Sequence, residues 1–373
     1  MSNNKKIDVI TLHRIVNYGS VLQAYATQYI LQKLGHKVEF IDYYPERMHM
    51  LGMLKRIKNK SERLKKNIFF RMAARIVMFP SYIRRFKVFK NFIKKHLNLT
   101  NKVYKTEEEL EKDIPEADIY CTGSDQVWNT GWNEKIDYVF FLKFVPENKR
   151  CIAYSASFGK SKLEDWEKEE TKALLQKYSH IAMREKSGVE ILENLGIKNG
   201  VHVLDPTLLL NKEEWKPLIS QKYENKKYIF MYNINRNKKL DSYAKELAKR
   251  KKMPLIYVSY NYHECFKYGH LKCNPKVEDF LSLIANAEYV LTDSFHCTAY
   301  SINFNKNLLV AYPEKFSTRL ASIVELTGLT NRVIRDYNDF SICEKEIDYE
   351  YANKILNEER KKSIDYLKMA IGE

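Results

Sequence analysis

The first 45 residues alternate between a mostly apolar run, a helical pattern and a second apolar run. Ile7–Leu12 is typical of a buried strand, and apolar side chains recur at helical spacing over Val21–Leu34. Gly35 is suited to end that helix, and a second apolar run follows at Lys37–Asp42. This order predicts a β-α-β unit with parallel strands, the repeating element of doubly wound α/β domains.

The same alternation continues along the remaining chain. It predicts strands at 117–121, 138–144, 150–154, 181–184, 201–204, 228–233, 255–259, 289–292 and 307–311. It predicts helices at 163–178, 187–195, 239–250, 277–285, 318–326 and 349–370. Because 373 residues exceed one ordinary core, we predict an α/β protein with two Rossmann-like domains that face a cleft. Their expected bounds are 1–215 and 216–348, and a C-terminal helix occupies 349–373.

Residues 48–97 interrupt this alternation with a basic helical insert in the first domain. Residues 51–100 contain 15 Lys and Arg and one acid, whereas the rest of the chain has 48 basic and 46 acidic residues. Apolar and basic side chains alternate there, and we predict two or three helices broken near Pro80.

Amphipathic basic helices are typical of proteins that bind anionic membrane surfaces, which is the partner we expect for residues 48–97. A solvated helical face that packs on its own domain is the alternative. The charge would also suit nucleic acid, but no nucleic-acid-reading motif accompanies it, so nucleic acid is not expected.

Composition indicates the compartment. Six cysteines are scattered without the paired spacing of a zinc motif, which favours a reduced, cytoplasmic protein with no metal site. Residues 1–6 lead directly into the first strand, so we expect no secretion signal. No apolar run reaches the roughly 18–20 residues of a membrane span. We therefore expect a cytoplasmic protein, peripheral at the inner face of the cell membrane.

Four predicted strands are followed by turns rich in Gly, Ser, Asn and Asp. The turns are Asn17–Ser20, Gly123–Asn129, Tyr154–Gly159 and Asp293–His296. Ligands bind at the carboxyl ends of strands in open α/β sheets, so we expect these turns to converge on one cleft. Asp293 and Ser294, either of which can cap a helix, precede His296. They would place its imidazole at a helix N-terminus, which suits an anionic ligand. Simple packing at a strand–helix corner is the alternative for this histidine.

The order and spacing of these segments resemble those of the polysaccharide pyruvyl transferases. The matching segments are Asn17–Ser20, Gly123–Asn129, Tyr154–Gly159, Arg184–Ser187, Asp205–Leu208, Asp293–Ile302 and Ser317–Arg319. The resemblance implies a GT-B-like fold. It also implies transfer of a carboxyethylidene group from phosphoenolpyruvate, a co-substrate, to a hexose of a cell-surface polysaccharide or its lipid-linked precursor, with no cofactor.

That chemistry needs cations for the donor's phosphate and carboxylate and a general acid. On this basis we expect His296 to be the catalytic acid and Asp125 the base for the acceptor hydroxyl. The expected donor-binding residues are Arg184, Ser294, Ser317 and Arg319. The expected acceptor-binding residues are Asn17, Tyr18, Gly19, Trp128 and Ser155. The open alternatives are ion pairs for the two arginines, a helix cap for Asp125, and core packing for Tyr18 and Trp128.

Two other functions stay open at this point. A GT-B glycosyltransferase would consume a nucleotide sugar instead of phosphoenolpyruvate. A non-enzymatic, membrane-associated glycan-assembly factor would tolerate changes at His296 and Asp125.

Overall fold

Two open parallel sheets form the framework of this protein, for which a computed structural model describes residues 4–313 and 318–372. The strands are β1 Lys6–Ile10, β2 Lys37–Tyr43, β3 Leu99–Tyr104, β4 Ile119–Thr122, β5 Arg150–Ala156, β6 Tyr178–Met183, β7 Gly200–His202, β8 Ile229–Tyr232, β9 Leu255–Ser259, β10 His270–Cys273, β11 Tyr289–Thr292 and β12 Asn307–Val310. The first sheet has the order β3-β2-β1-β4-β5-β6-β7, and the second has the order β10-β9-β8-β11-β12.

The strand order reverses between β1 and β4 in the first sheet and between β8 and β11 in the second. Ile7 of β1 pairs with Val38 of β2 on one side and with Ile119 of β4 on the other, in parallel register. Loops leave such a switch point in opposite directions and open a crevice at the carboxyl ends of the strands. Each sheet therefore presents one crevice.

Helices connect the strands and cover the sheets. They are α1 Tyr18–Lys33, α2 Met50–Lys55, α3 Glu62–Lys66, α4 Ile68–His96, α5 Glu107–Lys112, α6 Thr130–Asn133, α7 Asp165–Leu175, α8 Lys186–Asn194, α9 Pro206–Leu209, α10 Lys212–Trp215, α11 Lys238–Lys251, α12 Val277–Ala285, α13 Phe295–Asn303, α14 Thr318–Leu326 and α15 Tyr349–Ile371. Within the described ranges, no helix combines the length and the apolar character needed to cross a membrane.

The two halves share one apolar cluster that runs through α1, α9, α12 and α13. The ring of Tyr18 on α1 stacks on that of Phe280 on α12, with centroids 4.1 Å apart. After the second sheet, α15 returns to the first half, where the Ser363 hydroxyl accepts a hydrogen bond of 3.0 Å from the Leu204 amide. Burial on both sides of the cleft thus fixes the relative position of its two walls.

Most predicted elements are present, but the prediction of a strand at 138–144 is wrong. Residues 138–141 form a 3-10 turn, in which the Asp137 carboxylate accepts a hydrogen bond from the Val139 amide. Leu142 ends the turn in the left-handed region, at φ +56°. The apolar run is buried around Trp128 rather than in the sheet, so its hydrophobicity does not reflect strand pairing.

The predicted helix break near Pro80 is also wrong, because α4 continues through this residue. Met78 and Tyr82 on either side are buried against Leu54 and Ile57, and this packing holds the helix together although proline removes one backbone hydrogen bond. The sequence pattern also missed the edge strands β3 and β10, whose partly exposed residues lack a long apolar run.

Candidate functional site

The crevices of the two sheets meet in one cleft. A cavity of about 180 Å³ lies there, and its polar lining is Asn17, Ser20, Asp125, Gln126, Ser294, His296 and Arg319. These residues follow β1, β4, β11 and β12, so both halves of the molecule contribute. The convergence expected from the sequence is therefore present for all of the turns except Tyr154–Gly159, which is absent from this lining.

His296 stands in the first turn of α13 because Ser294 caps that helix. The Ser294 hydroxyl accepts a hydrogen bond of 3.4 Å from the Cys297 amide. The imidazole lies against Gly19: a Cβ at this glycine would be 2.1 Å from His296 Nδ1. Gly19 therefore contributes space for the ring and is better described as a positioning residue than as an acceptor contact.

The His296 side chain is 13% exposed, and its buried Nε2 has no hydrogen-bond partner among the described residues. Burial lowers the pKa of His296 below 6.5, whereas the carboxylates of Asp205 and Asp125 oppose this shift. Asp205 Oδ2 is 3.9 Å from His296 Nε2. The lowered pKa favours a neutral imidazole at neutral pH in the free protein.

Arg184 lies behind the cavity and does not line it, which corrects the expectation that it grips the donor directly. Its side chain is fully buried, and Nη1 is 3.5 Å from Asp125 Oδ1 and 3.2 Å from Asp205 Oδ2. Burial would lower the pKa of Arg184, but these carboxylates and Glu185 raise it. The guanidinium also lies 5.3 Å from the Phe295 ring centre, so it supports the wall that carries His296.

Asp125 is held as a carboxylate at the first-sheet wall of the cavity. It accepts a hydrogen bond of 2.6 Å from the Ser20 hydroxyl and one of 2.9 Å from the Gln126 amide. Burial would raise the pKa of Asp125, but the charges of Arg184 and His296 and these hydrogen bonds lower it. Its backbone has φ +80°, an uncommon conformation for a residue with a side chain and one that aims this carboxylate into the cleft.

Arg319, at the start of α14, is the cation that lines the cavity itself. The side-chain amide of Gln126 lies 2.9 Å from both terminal nitrogens of Arg319. Burial lowers the pKa of Arg319 to about 10, and repulsion from Arg184 adds to this effect. The guanidinium stays charged at neutral pH and can bind an anion. Ser317, the other expected donor contact in this region, lies outside the described residues.

A second cavity of about 500 Å³ adjoins the first and shares Gln126, Trp132 and Arg319 with it. Trp132 is 41% exposed, and Lys160 adds a cation to the lining. An exposed indole beside polar groups is the kind of surface on which a sugar ring packs. The cleft therefore has a small compartment near His296 and a larger one beside Trp132.

Besides Gly19, three further expected acceptor-binding residues are not in the lining of either cavity. Tyr18 is buried between the two halves, and its hydroxyl donates a hydrogen bond of 2.8 Å to the Pro275 carbonyl. Trp128 is 1% exposed and donates from Nε1 to the Phe140 carbonyl at 3.0 Å. Ser155 is fully buried, with its hydroxyl 3.3 Å from that of Ser124. These corrections have one cause: burial in the core leaves no surface for an acceptor.

Sequence reasoning missed Trp132, Gln126 and the second role of Asp205. One oxygen of Asp205 caps α9 by accepting a hydrogen bond from the Thr207 amide. Its other oxygen also faces Arg184 and His296. Gln126 was detectable within the matching segment that contains Asp125. For Trp132 the sequence gives no signal that separates it from the nearby buried Trp128.

Asn17 and Ser294 both line the small cavity, and both also cap helices. The Asn17 side chain accepts a hydrogen bond of 2.9 Å from the Gly19 amide. In the described part of the chain, no cluster of His, Cys, Asp or Glu side chains is arranged to hold a metal ion. The site is thus built from helix starts, one imidazole, carboxylates and guanidinium groups.

Solved structures with similar folds cover nearly the whole chain. S. aureus MnaA, solved with UDP, has a TM-score of 0.53 at 13% identity and covers 98% of this chain and 97% of that one. A UDP-N-acetylglucosamine 2-epimerase has a TM-score of 0.54 at 11% identity, covering 100% and 97%. The glycotransferase of kitacinnamycin has a TM-score of 0.51 at 8% identity, covering 99% of each chain. At such identities the likeness shows the fold alone, which is the expected GT-B-like pair of Rossmann-like domains.

Comparison with curated proteins gave no match. A family model described as polysaccharide pyruvyl transferase matches residues 17–312, which include His296, Asp125 and most of the cleft. This match spans the greater part of both sheets. The chain therefore belongs to the polysaccharide pyruvyl transferase family.

Proposed function

We propose that this protein transfers a carboxyethylidene group from phosphoenolpyruvate to two hydroxyls of a hexose in a polysaccharide or its precursor. The observation that carries the proposal is the small cavity, where the side chains of His296 and Arg319 line the same space. Family membership supports a transferase that acts on polysaccharides. The donor and the ketal product are our proposal.

The donor carries a phosphate and a carboxylate, and the small cavity supplies groups that suit both. Arg319 provides a cation, and the N-terminus of α13 adds partial positive charge beside Ser294. Arg184 contributes its charge from behind Phe295 without touching the ligand. We assign Arg319 and Ser294 to donor binding and Arg184 to positioning.

The reaction needs a proton at the methylene carbon of phosphoenolpyruvate. We propose that His296 delivers it, which creates an oxocarbenium-like centre at the neighbouring carbon. One sugar hydroxyl adds there, and the second then displaces the phosphate. Of the two hydroxyl protons, one ends on the new methyl group and the other on the phosphate, so the atoms balance. General acid–base help of this kind is typically worth roughly 10²–10⁴-fold in rate.

Asp125 is the proposed base for the attacking hydroxyl. It lies in the same small cavity and accepts a hydrogen bond from Ser20, so its free lone pairs can accept another from the acceptor. The hexose would extend into the larger compartment, with its ring against Trp132. Asn17 stays an acceptor-binding residue in this proposal. A lipid-linked hexose would place the enzyme at the inner face of the cell membrane.

The test is to incubate the protein with phosphoenolpyruvate and a panel of glycan acceptors, and to follow phosphate release together with ketal formation by NMR. His296→Ala should lose at least ~100-fold in rate with its fold intact. His270→Ala is the matched control, because His270 is exposed at the edge strand β10. Equal rates for the two variants would remove His296 from the mechanism.

The same panel run with nucleotide sugars separates the alternative glycosyltransferase. That function predicts release of a nucleoside diphosphate and no consumption of phosphoenolpyruvate. A protein that consumes neither donor, and tolerates changes at Asp125 and His296 in the cell, would instead be a non-enzymatic assembly factor.

A further inference from the structure

Six large apolar side chains form an exposed stripe along the first half of α4. They are Ile68, Phe69, Met72, Ile76, Phe79 and Ile83, which are between 43% and 79% exposed. At the turn angle of an α-helix, this spacing places all six within an arc of roughly 100°. Large contiguous apolar surfaces are uncommon on soluble monomers and mark contact sites.

The second half of α4 is anchored to the protein on the face opposite the arc of the stripe. Tyr82 and Phe89 are buried, and Arg85 donates a hydrogen bond of 2.7 Å to the Val16 carbonyl in the first half of the protein. Arg84 donates one of 2.8 Å to the Cys273 carbonyl in the second half. The stripe therefore belongs to a helix whose second half is fixed to both walls of the cleft, and Met78 packs the first half against Leu54 and Ile57.

The same face turns basic in the second half of the helix. Lys87, Lys90 and Lys94 are exposed and continue the arc occupied by the stripe. They belong to the segment 51–100, which has 15 basic residues and one acid. One helix face thus offers apolar side chains followed by a row of positive charges.

From this face we infer that α4 docks on an anionic lipid bilayer, with the stripe lying in the interface and the three lysines on the headgroups. Basic helices with one apolar face lie in the plane of such surfaces, and each lysine near an anionic surface adds attraction. A second copy of this chain fits less well, because a symmetric contact through the stripe would bring two strongly basic segments together. Charge complementarity therefore favours the bilayer.

The insert also reaches the cleft. The Arg56 guanidinium lies 5.4 Å from the centre of the Trp132 ring, which lines both compartments. The docking inference itself does not depend on pyruvyl transfer, since it is tested by binding alone.

The test is flotation of the full chain with vesicles of phosphatidylcholine alone and of phosphatidylcholine mixed with phosphatidylglycerol. We expect binding to the mixed vesicles and little to the neutral ones. Phe69→Ser combined with Ile76→Ser should weaken binding by at least ~10-fold, because two apolar anchors are lost. Phe266→Ser is the matched control, since Phe266 is 92% exposed outside the insert.

Charge is tested separately. Changing Lys87, Lys90 and Lys94 to Gln should weaken binding by at least ~10-fold, whereas changing the exposed Lys238, Lys239 and Lys249 of α11 removes the same net charge and should have little effect. All of these residues are on the surface, and circular dichroism checks the fold.

Several results would overturn the inference. One is a wild-type protein that does not float with either vesicle, and another is equal loss for the stripe variants and their controls. A dimer in light scattering that the stripe variant converts to a monomer would assign the face to a second copy.

Discussion

At the scale of single residues, the site depends on which side chains are absent as much as on which are present. Gly19 leaves the space that the His296 ring occupies, and a Cβ there would come within 2.1 Å of Nδ1. This glycine is in the first turn of α1, and the contact is with a side chain some 280 positions away in the sequence. The role of Gly19 therefore cannot be predicted from the residues next to it in the sequence.

We predict that Gly19→Ala lowers pyruvyl transfer by at least ~10-fold although alanine favours helices, because the methyl group displaces the His296 ring. A double-mutant cycle with His296→Ala identifies the cause. Gly19→Ala should destabilise the wild-type background by roughly 1–3 kcal/mol and the His296→Ala background much less. Equal losses in melting temperature in both backgrounds would contradict the contact.

The lowered pKa of His296 predicts the pH dependence of donor binding. An anion beside the His296 ring stabilises its imidazolium form, so the ring should take up a proton when the donor binds. Donor binding should therefore become tighter as the pH falls toward the lowered pKa that His296 has in the free protein. Isothermal titration in buffers of different ionisation enthalpy measures that uptake. His296→Asn should show only the titration of the phosphate itself; unchanged proton uptake in this variant would assign it to another group.

Single residues also show what the sequence could predict. His296 could be placed at a helix N-terminus because its cap, Ser294, is a neighbour in the chain. The roles of Trp128 and Trp132 could not be distinguished, because only packing against Phe141 and Phe158 buries the first of them. A helix cap depends on neighbouring residues and can be predicted from the sequence, whereas burial depends on residues that only the fold brings together.

At the scale of secondary-structure elements, the apolar pattern predicted the second sheet well. The strands β9 and β11 and the helix α12 begin and end where turn and polar residues bound the apolar runs. The buried strands of a parallel sheet are apolar on both faces, so their runs are easy to find. The edge strands β3 and β10 lack this signature, and the turn over 138–141 imitates it.

Within β1, Asp8 is a buried carboxyl whose two oxygens have no hydrogen-bond partner in the described ranges. Burial raises the pKa of Asp8 to about 7, while Lys6 opposes this shift and Glu39 adds to it. Because the folded pKa lies above the unfolded value, stability falls as the pH rises from about 4 to about 7. At alkaline pH the ionised Asp8 side chain in β1 thus lowers the stability of the protein.

We therefore predict that Asp8→Asn raises the free energy of unfolding by roughly 2–4 kcal/mol at pH 8, because the amide cannot ionise. The gain should be clearly smaller at pH 5, where the folded carboxyl is already protonated. Melting curves at the two pH values measure the difference. A gain of equal size at both would show that ionisation is not its cause.

At the scale of the whole molecule, catalysis depends on how the two halves are held. The alternation of strands and helices predicted two Rossmann-like domains, but their mutual arrangement rests on contacts far apart in sequence. Tyr18 is the clearest case, because it stacks on Phe280 and donates a hydrogen bond to Pro275 across the interface. A residue expected to touch the sugar instead joins the two walls of the cleft.

Tyr18→Ala should destabilise the protein by roughly 3–5 kcal/mol, since a large buried ring is removed from the interface. Transfer activity should also fall, because His296 and Asp125 stand on opposite walls. Tyr18→Phe keeps the stacking and should cost only about 1 kcal/mol, with near-normal activity. If the phenylalanine variant lost as much activity as the alanine variant, the hydroxyl would have a direct role in the site.

The central claim is that the cleft between the two sheets binds phosphoenolpyruvate through Arg319, at a site shared with His296. Isothermal titration of the free protein with phosphoenolpyruvate tests this claim without knowledge of the acceptor. The account predicts binding that Arg319→Gln weakens by at least ~10-fold, while Arg250→Gln on the exposed face of α11 leaves it unchanged. Equal affinity in both variants, or tight binding of UDP with none of phosphoenolpyruvate, would contradict it.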